Sequence, residues 1–229
     1  MEFSPPLQHG ILLQRYKRFL ANIKLPDGQQ ITAHCPNPGA MTGCAEPGWR
    51  VGLSLSNNPR RKLPYTLEMV HNGQSWIGVN TQRANELVAE ALSSGRIAEL
   101  TGYERIQREV PYAGHSRVDF MLSDAGRPDC YLEVKSVTLL KNGLNQFPDT
   151  VTERGRKHLQ ALQEIRAQGL RAMLLFVVQR EDGQGFAAAN DIDPAYAEAL
   201  ETARQAGVEV LVYQAQLSPS VWQLSHRIC

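Results

Sequence analysis

The sequence predicts an α/β (α+β) protein in two parts: a small β-barrel over residues 1–80, then a mixed sheet flanked by helices over residues 81–229. Three observations predict it. Short alternating apolar runs, broken by turn residues, fill the first eighty positions. Helical periodicity sets in abruptly with "TQRANELVAEALSSG". After that helix come three strand-like runs, and then helix, strand, helix and strand in turn, the order of a mixed sheet with helices packed on it. A chain of 229 residues, 42% of them hydrophobic, can bury cores for both parts.

In the first part, "RFLANIKL" alternates, with Phe19, Ala21, Ile23 and Leu25 on one face. "PDG" at 26–28 turns the chain and "QITAHC" resumes a strand. "WRVGLSLS" and "YTLEMV" are two more strands, separated by the polar loop "NNPRRKLP", and "HNGQSWIGV" closes a hairpin around Asn72-Gly73. About five short strands in this length suit a small barrel, of which the oligonucleotide-binding (OB) barrel is one form. "HCPNPGAMTG", residues 34–43, has two prolines and two glycines; it either frames a site or makes a tight corner.

In the second part, Ala84, Leu87, Val88, Ala91 and Leu92 fall at helical spacing, with Gly95 as the stop. Strand-like runs follow at about 104–112, 116–122 and 130–138, then a helix at about 154–168 with the stripe Leu159, Leu162 and Ile165. "RAMLLFVVQ" is continuously apolar, as a strand covered on both faces must be. "PAYAEALETARQAG" and "VEVLVY" supply a last helix and strand.

Eight Lys/Arg against four Asp/Glu make residues 1–80 mildly basic, which is compatible with a polyanion partner. The cysteines Cys35, Cys44, Cys130 and Cys229 form no C-x-x-C pair and read as reduced thiols. His34, Cys35 and Cys44 lack a fourth ligand and the usual spacing for zinc. "MEFSPPLQHG" has no apolar core and no apolar run is long enough to span a bilayer, so no membrane role and a cytoplasmic location are expected.

The chemistry concentrates in one hairpin. "SRVDFML" places Val118, Phe120 and Leu122 on one face and Asp119 on the other, and "SDAGRPD" turns the chain back into "CYLEVKSV". Asp119 can then share a face with Glu133 and Lys135. Two carboxylates there can hold a divalent cation such as Mg²⁺, and the lysine can orient a water or stabilise charge on phosphorus. Glu90, on the preceding helix, is a candidate third metal ligand. Thr150 and Glu153 stand at capping-box spacing, and Arg154, Arg156, Lys157 and His158 crowd the helix start that follows. Cations oppose the helix dipole at that end, so a bound phosphate would relieve them, as would nearby acids. Arg15, Lys17 and Arg18 interleaved with Tyr16 and Phe19, and the loop cations Arg60, Arg61 and Lys62 near Tyr65, are the pattern of a phosphate and base contact surface.

Taken together, "PPLQHGILLQRYKRFLANI", "HCPNPGAMTGC", "VNTQRAN", "SRVDFML", "RPDCYLEVKSVTL" and "FPDTVTERGRKHLQAL" resemble the bacterial sugar fermentation stimulation protein A (SfsA) family over essentially the whole chain. The resemblance implies an OB-like barrel, a PD-(D/E)xK nuclease-like second domain, non-specific DNA binding and a regulatory part in sugar (maltose) metabolism. On this chain the nuclease pattern falls on Asp119, Glu133 and Lys135, with Mg²⁺ or Mn²⁺ as the cofactor if the site cuts. DNA contacts are expected at Arg15, Arg18, Arg60, Arg61, Lys62, Arg154, Lys157 and His158. Two positions depart from the pattern: Pro38 stands where the family more often has Thr, and Val118 stands where the nuclease pattern has its leading proline.

Overall fold

The computed structural model describes residues 1–112 and 116–228. Five strands build the barrel: β1 (Gln8–Tyr16), β2 (Leu20–Lys24), β3 (Gln30–His34), β4 (Arg50–Leu55) and β5 (Tyr65–His71). They pair in the order β3-β2-β1-β4-β5, and a parallel bridge between His34 and Thr66 closes β3 onto β5. This is the closed circuit of an OB barrel. Leu12, Ala21, Ile23, Val51, Leu53 and Leu67 fill it, each from the inward half of an alternating strand. Phe19 departs from its expected face. It sits in the β1–β2 turn instead of in β2, and is 44% exposed.

β6 (Trp76–Gly78) pairs with β5 and leads out of the barrel into α1 (Gln82–Ser93). The buried residues of α1 are the five that its periodicity singles out, and it ends at Gly95, whose φ of 69° lies in the left-handed region that favours glycine. A short 3₁₀ turn (Ala98–Leu100) leads into β7 (Arg105–Tyr112), β8 (Ser116–Asp124) and β9 (Arg127–Val137), an antiparallel meander.

The next elements are β10 (Leu139–Lys141), β11 (Leu144–Phe147), α2 (Glu153–Ala167), β12 (Arg171–Val178), β13 (Gln184–Ala188), α3 (Pro194–Gln205), β14 (Glu209–Leu217) and β15 (Trp222–Arg227). The main sheet runs β15-β14-β12-β9-β8-β7, with β12 parallel to both β9 and β14. Helix α1 packs on the face carrying Leu132, Val134, Leu175 and Val177; α2 and α3 pack on the face carrying Val137, Leu174, Phe176 and Val178. That two-sided cover explains the unbroken apolar run of β12.

Strands β1 and β15 and a small sheet, β10-β11-β13, were not expected from sequence. Runs of three to five residues carry too little periodicity to register, although Asn142-Gly143 is a hairpin signal between β10 and β11.

The two domains share backbone. Ile77 and Arg180 form a β-bridge, and the Gly78 N–H donates to the Gln179 carbonyl at 2.9 Å. A Cβ on Gly78 would come within 2.8 Å of the Gln179 side-chain oxygen and 3.1 Å of Trp222, so a larger residue there would have to displace the Gln179 amide. Among the described residues no helix is long and apolar enough to cross a membrane. Cys35, Cys44 and Cys130 are buried free thiols, and burial raises the pKa of each. Cys229 lies outside the described residues.

Candidate active site

The β8–β9 register pairs Phe120 with Leu132 and Met121 with Tyr131, so its continuation brings Asp119 opposite Glu133. The backbone ladder gives way there. The Val134 N–H donates at 2.7 Å to Oδ2 of Asp119, a side-chain carboxylate in place of a strand carbonyl. Asp119 Oδ1 accepts from Asn85 Nδ2 of α1, also at 2.7 Å. Burial and the neighbouring Glu133 carboxylate together push the Asp119 pKa up to about 6.

Glu133 is 3% exposed. Burial works against its charge, but His158 and Lys135 overcome that and hold its carboxyl below the usual range. Its Oε1 accepts from Lys135 Nζ at 2.7 Å and is in close contact with His158 Nδ1. Arg154 Nε donates to His158 Nε2 at 3.2 Å, which leaves the imidazole proton on Nδ1, facing Glu133. Glu133 Oε2 is buried and has no hydrogen-bond partner among the described residues.

A buried, ionised carboxylate with one free oxygen, opposite a second carboxylate with a raised pKa, is a donor set that fits a hard divalent cation. Asp119 and Glu133 would hold it.

Three sequence expectations need correction. Glu90 pairs with the Met1 amino group, five residues along α1 from the residue that reaches Asp119, so it faces elsewhere. At about 100° per residue, five residues turn the side chain about 140° around the helix. The residue that α1 contributes is Asn85. His158 is no surface phosphate contact; its side chain is 12% exposed and lies against Glu133. The capping box is also displaced: the α2 N-cap is Thr152, whose Oγ1 accepts from Gly155 N at 3.0 Å, and Asp193 accepts from Thr152 N and Arg156.

The other predicted cations divide into two groups. Arg18 and Arg154 are exposed and line a cleft of about 700 Å³ between barrel and sheet, together with Lys135 and Asn85. Arg60, Arg61 and Lys62 are exposed on the β4–β5 loop, and Lys157 is exposed on α2. Arg15 differs: its guanidinium donates to the carbonyls of Asn37, Gly39 and Ala40 at 3.0, 2.9 and 3.1 Å. It shapes the 34–43 loop, whose Asn37, Pro38 and Gly39 form a wall of the cleft. From the opposite wall, Asp149 Oδ2 accepts from Met41 N at 3.1 Å, and a Cβ on Gly39 would fall 2.2 Å from that oxygen.

A closed OB barrel joined to a mixed sheet flanked by helices, with Asp119, Glu133 and Lys135 gathered at the β8–β9 hairpin, defines a two-domain α/β (α+β) chain. Residues 13–79 match the family described as "SfsA N-terminal OB domain", and residues 82–221 match "Sugar fermentation stimulation protein RE domain". The chain belongs to the SfsA family. It is 53% identical over 222 residues to a sugar fermentation stimulation protein homolog of Acidithiobacillus ferrooxidans, covering 96% of each chain. The homolog of Shewanella loihica is 54% identical over 226 residues, covering 98% of this chain and 97% of that one. The solved structure of Pyrococcus furiosus SfsA in complex with Ca²⁺ superposes with a TM-score of 0.90 at 25% identity, covering 100% of this chain and 96% of that chain.

Proposed function

We propose that the protein binds DNA with little regard to sequence and that Asp119, Glu133 and Lys135 form a Mg²⁺- or Mn²⁺-dependent phosphodiesterase site. One observation carries this reading: Glu133 is buried and ionised, with one oxygen free, opposite Asp119 and beside a cleft lined by Lys135, Arg18 and Arg154. A resting fold gains nothing from such a group, whereas a cation and a phosphate satisfy it together. The Ca²⁺ of the Pyrococcus furiosus structure accords with a cation at this fold.

Each side chain then has a task. A bound cation would neutralise phosphoryl charge and acidify a water. Lys135 sets a positive charge beside Glu133, where charge on phosphorus would build up. His158 and Arg154 hold Glu133 in place, and Asn85 with the Val134 amide orients Asp119. Arg18, Arg60, Arg61, Lys62 and Lys157 supply phosphate contacts that do not read bases. A regulatory part in sugar (maltose) metabolism, which the family resemblance implies, would be exerted through that binding.

The test is cleavage of single-stranded, duplex and branched DNA with Mg²⁺ and with Mn²⁺, by wild type and by Glu133→Gln and Lys135→Ala. Cleavage by wild type alone, with binding kept in all three proteins, is the expected result. Cleavage that persists in Glu133→Gln, or that no substrate and neither metal elicits, would overturn the phosphodiesterase assignment. Absence of any gel shift at low salt would overturn the DNA-binding one.

A further inference from the structure

The β1–β2 turn is built against the usual turn chemistry. Lys17 and Arg18 have φ of 46° and 64°, a left-handed conformation that hairpin turns normally assign to Asn or Gly. Two long cations there, followed by a phenylalanine 44% exposed, form a tip of charge and aromatic surface with no packing task. The tip is also held in place: the Phe19 carbonyl accepts from Cys35 N at 2.8 Å, which ties it to the 34–43 loop that Arg15 braces. Arg18 lines the same cleft as Lys135 and Arg154.

An unpaired strand presents base faces on which an exposed ring can stack, whereas a duplex keeps its base faces stacked on one another.

We infer that the β1–β2 tip takes a single unpaired polynucleotide strand, with Phe19 as the base-stacking platform and Arg18, which lines the cleft, on the adjoining phosphate. The inference rests on the nucleic-acid reading above and deepens it: the substrate class becomes unpaired strands and the single-stranded arms of branched molecules. Stacking on an aromatic ring accepts any base, so sequence tolerance is kept.

The test is fluorescence anisotropy with the full chain in EDTA at low salt. The probes are single strands of DNA and of RNA about 16 nucleotides long, enough for one OB face, and the matching duplex. Wild type is expected to prefer the single strands. Phe19→Ala should weaken single-strand binding by about 5- to 100-fold, the range for losing one stacked base, and duplex binding by less than about twofold. Phe19→Tyr, which keeps the ring, should restore most of the affinity. Ile106→Ala, at another exposed apolar side chain, should change neither. Equal affinity for the duplex, or a Phe19→Ala protein that binds single strands like wild type, would overturn the inference while leaving DNA binding intact. Binding of no nucleic acid at all would remove the underlying reading as well. The DNA and RNA arms decide which sugar the strand carries.

Discussion

The protein buries two glutamates beside cationic side chains and treats them in opposite ways. Glu68, in the barrel, is fully buried, and both of its oxygens are satisfied. Oε1 accepts from Ser54 Oγ at 2.6 Å and Arg83 NH2 at 2.8 Å; Oε2 accepts from Asn80 Nδ2 at 2.8 Å and Arg83 Nε at 3.0 Å. Glu133, in the sheet, crowds Lys135 and His158 onto one oxygen and leaves the other bare. Burial alone therefore does not mark a functional acid. What separates the two is that Glu68 has a partner for each oxygen, whereas the bare oxygen of Glu133, at about 1–3 kcal/mol for an unpaired buried polar atom, lies opposite a second carboxylate.

The contrast can be broken in several ways. Glu68→Ala takes from the Arg83 guanidinium two of its three side-chain hydrogen bonds, leaving the one to Glu86, and unpairs Ser54 and Asn80; it should cost about 1–3 kcal/mol in denaturant unfolding. Folded Glu68→Ala protein should keep its metal response. Glu133→Gln should do the reverse: cleavage falls by at least about 100-fold, as when one preorganised charged group is removed, while the unfolding midpoint moves little. Comparable stability losses in the two variants would erase the distinction.

His158→Ala tests how Glu133 is held. Calcium affinity, measured by calorimetry without substrate, should fall by about 10- to 100-fold, with His158→Gln intermediate. On the barrel, neutralising Arg60, Arg61 and Lys62 should reduce the slope of log affinity against log salt by up to about 0.9 for each phosphate that these cations engage.

The smallest effect concerns a third, satisfied acid. Asp182 accepts from Arg180 at 2.7 Å on both oxygens and from Asn72. Burial opposes its charge, but Arg180 outweighs that and holds its pKa at about 2, below the ordinary 3.8. An acid lowered in this way stabilises the fold above its unfolded pKa, and that stability is lost as pH falls through 3.8 towards 2. Asp182→Asn should therefore flatten the acid limb of the stability profile in that window.

Much of the site was legible because strands alternate. Asp119, Glu133 and Lys135 follow from a two-residue period and one hairpin turn, which are local facts. Asn85 and His158 take their roles from how α1 and α2 dock on the sheet, and no local pattern encodes that rotation. Glu90 has the charge of a metal ligand, but the helix turns it away. Arg15 has the composition of a phosphate contact but is used to hold three carbonyls of its own loop. Phe19 shows the opposite error: alternation assigns it to the barrel face, while the turn places it outside. The fold classes of both domains were readable; the short strands β10 and β11 were not, because a hairpin of three- and four-residue strands shows no periodicity, nor was β13, which joins them from beyond α2 and β12.

The interrupted ladder at Val134 has a practical consequence. Its amide proton is held by the Asp119 carboxylate, so its deuterium exchange and nitrogen chemical shift answer to whatever engages that oxygen. A ¹⁵N-labelled sample thus contains its own spectroscopic gauge of the site, one backbone resonance that can be followed during titration with a cation or an oligonucleotide without altering any residue.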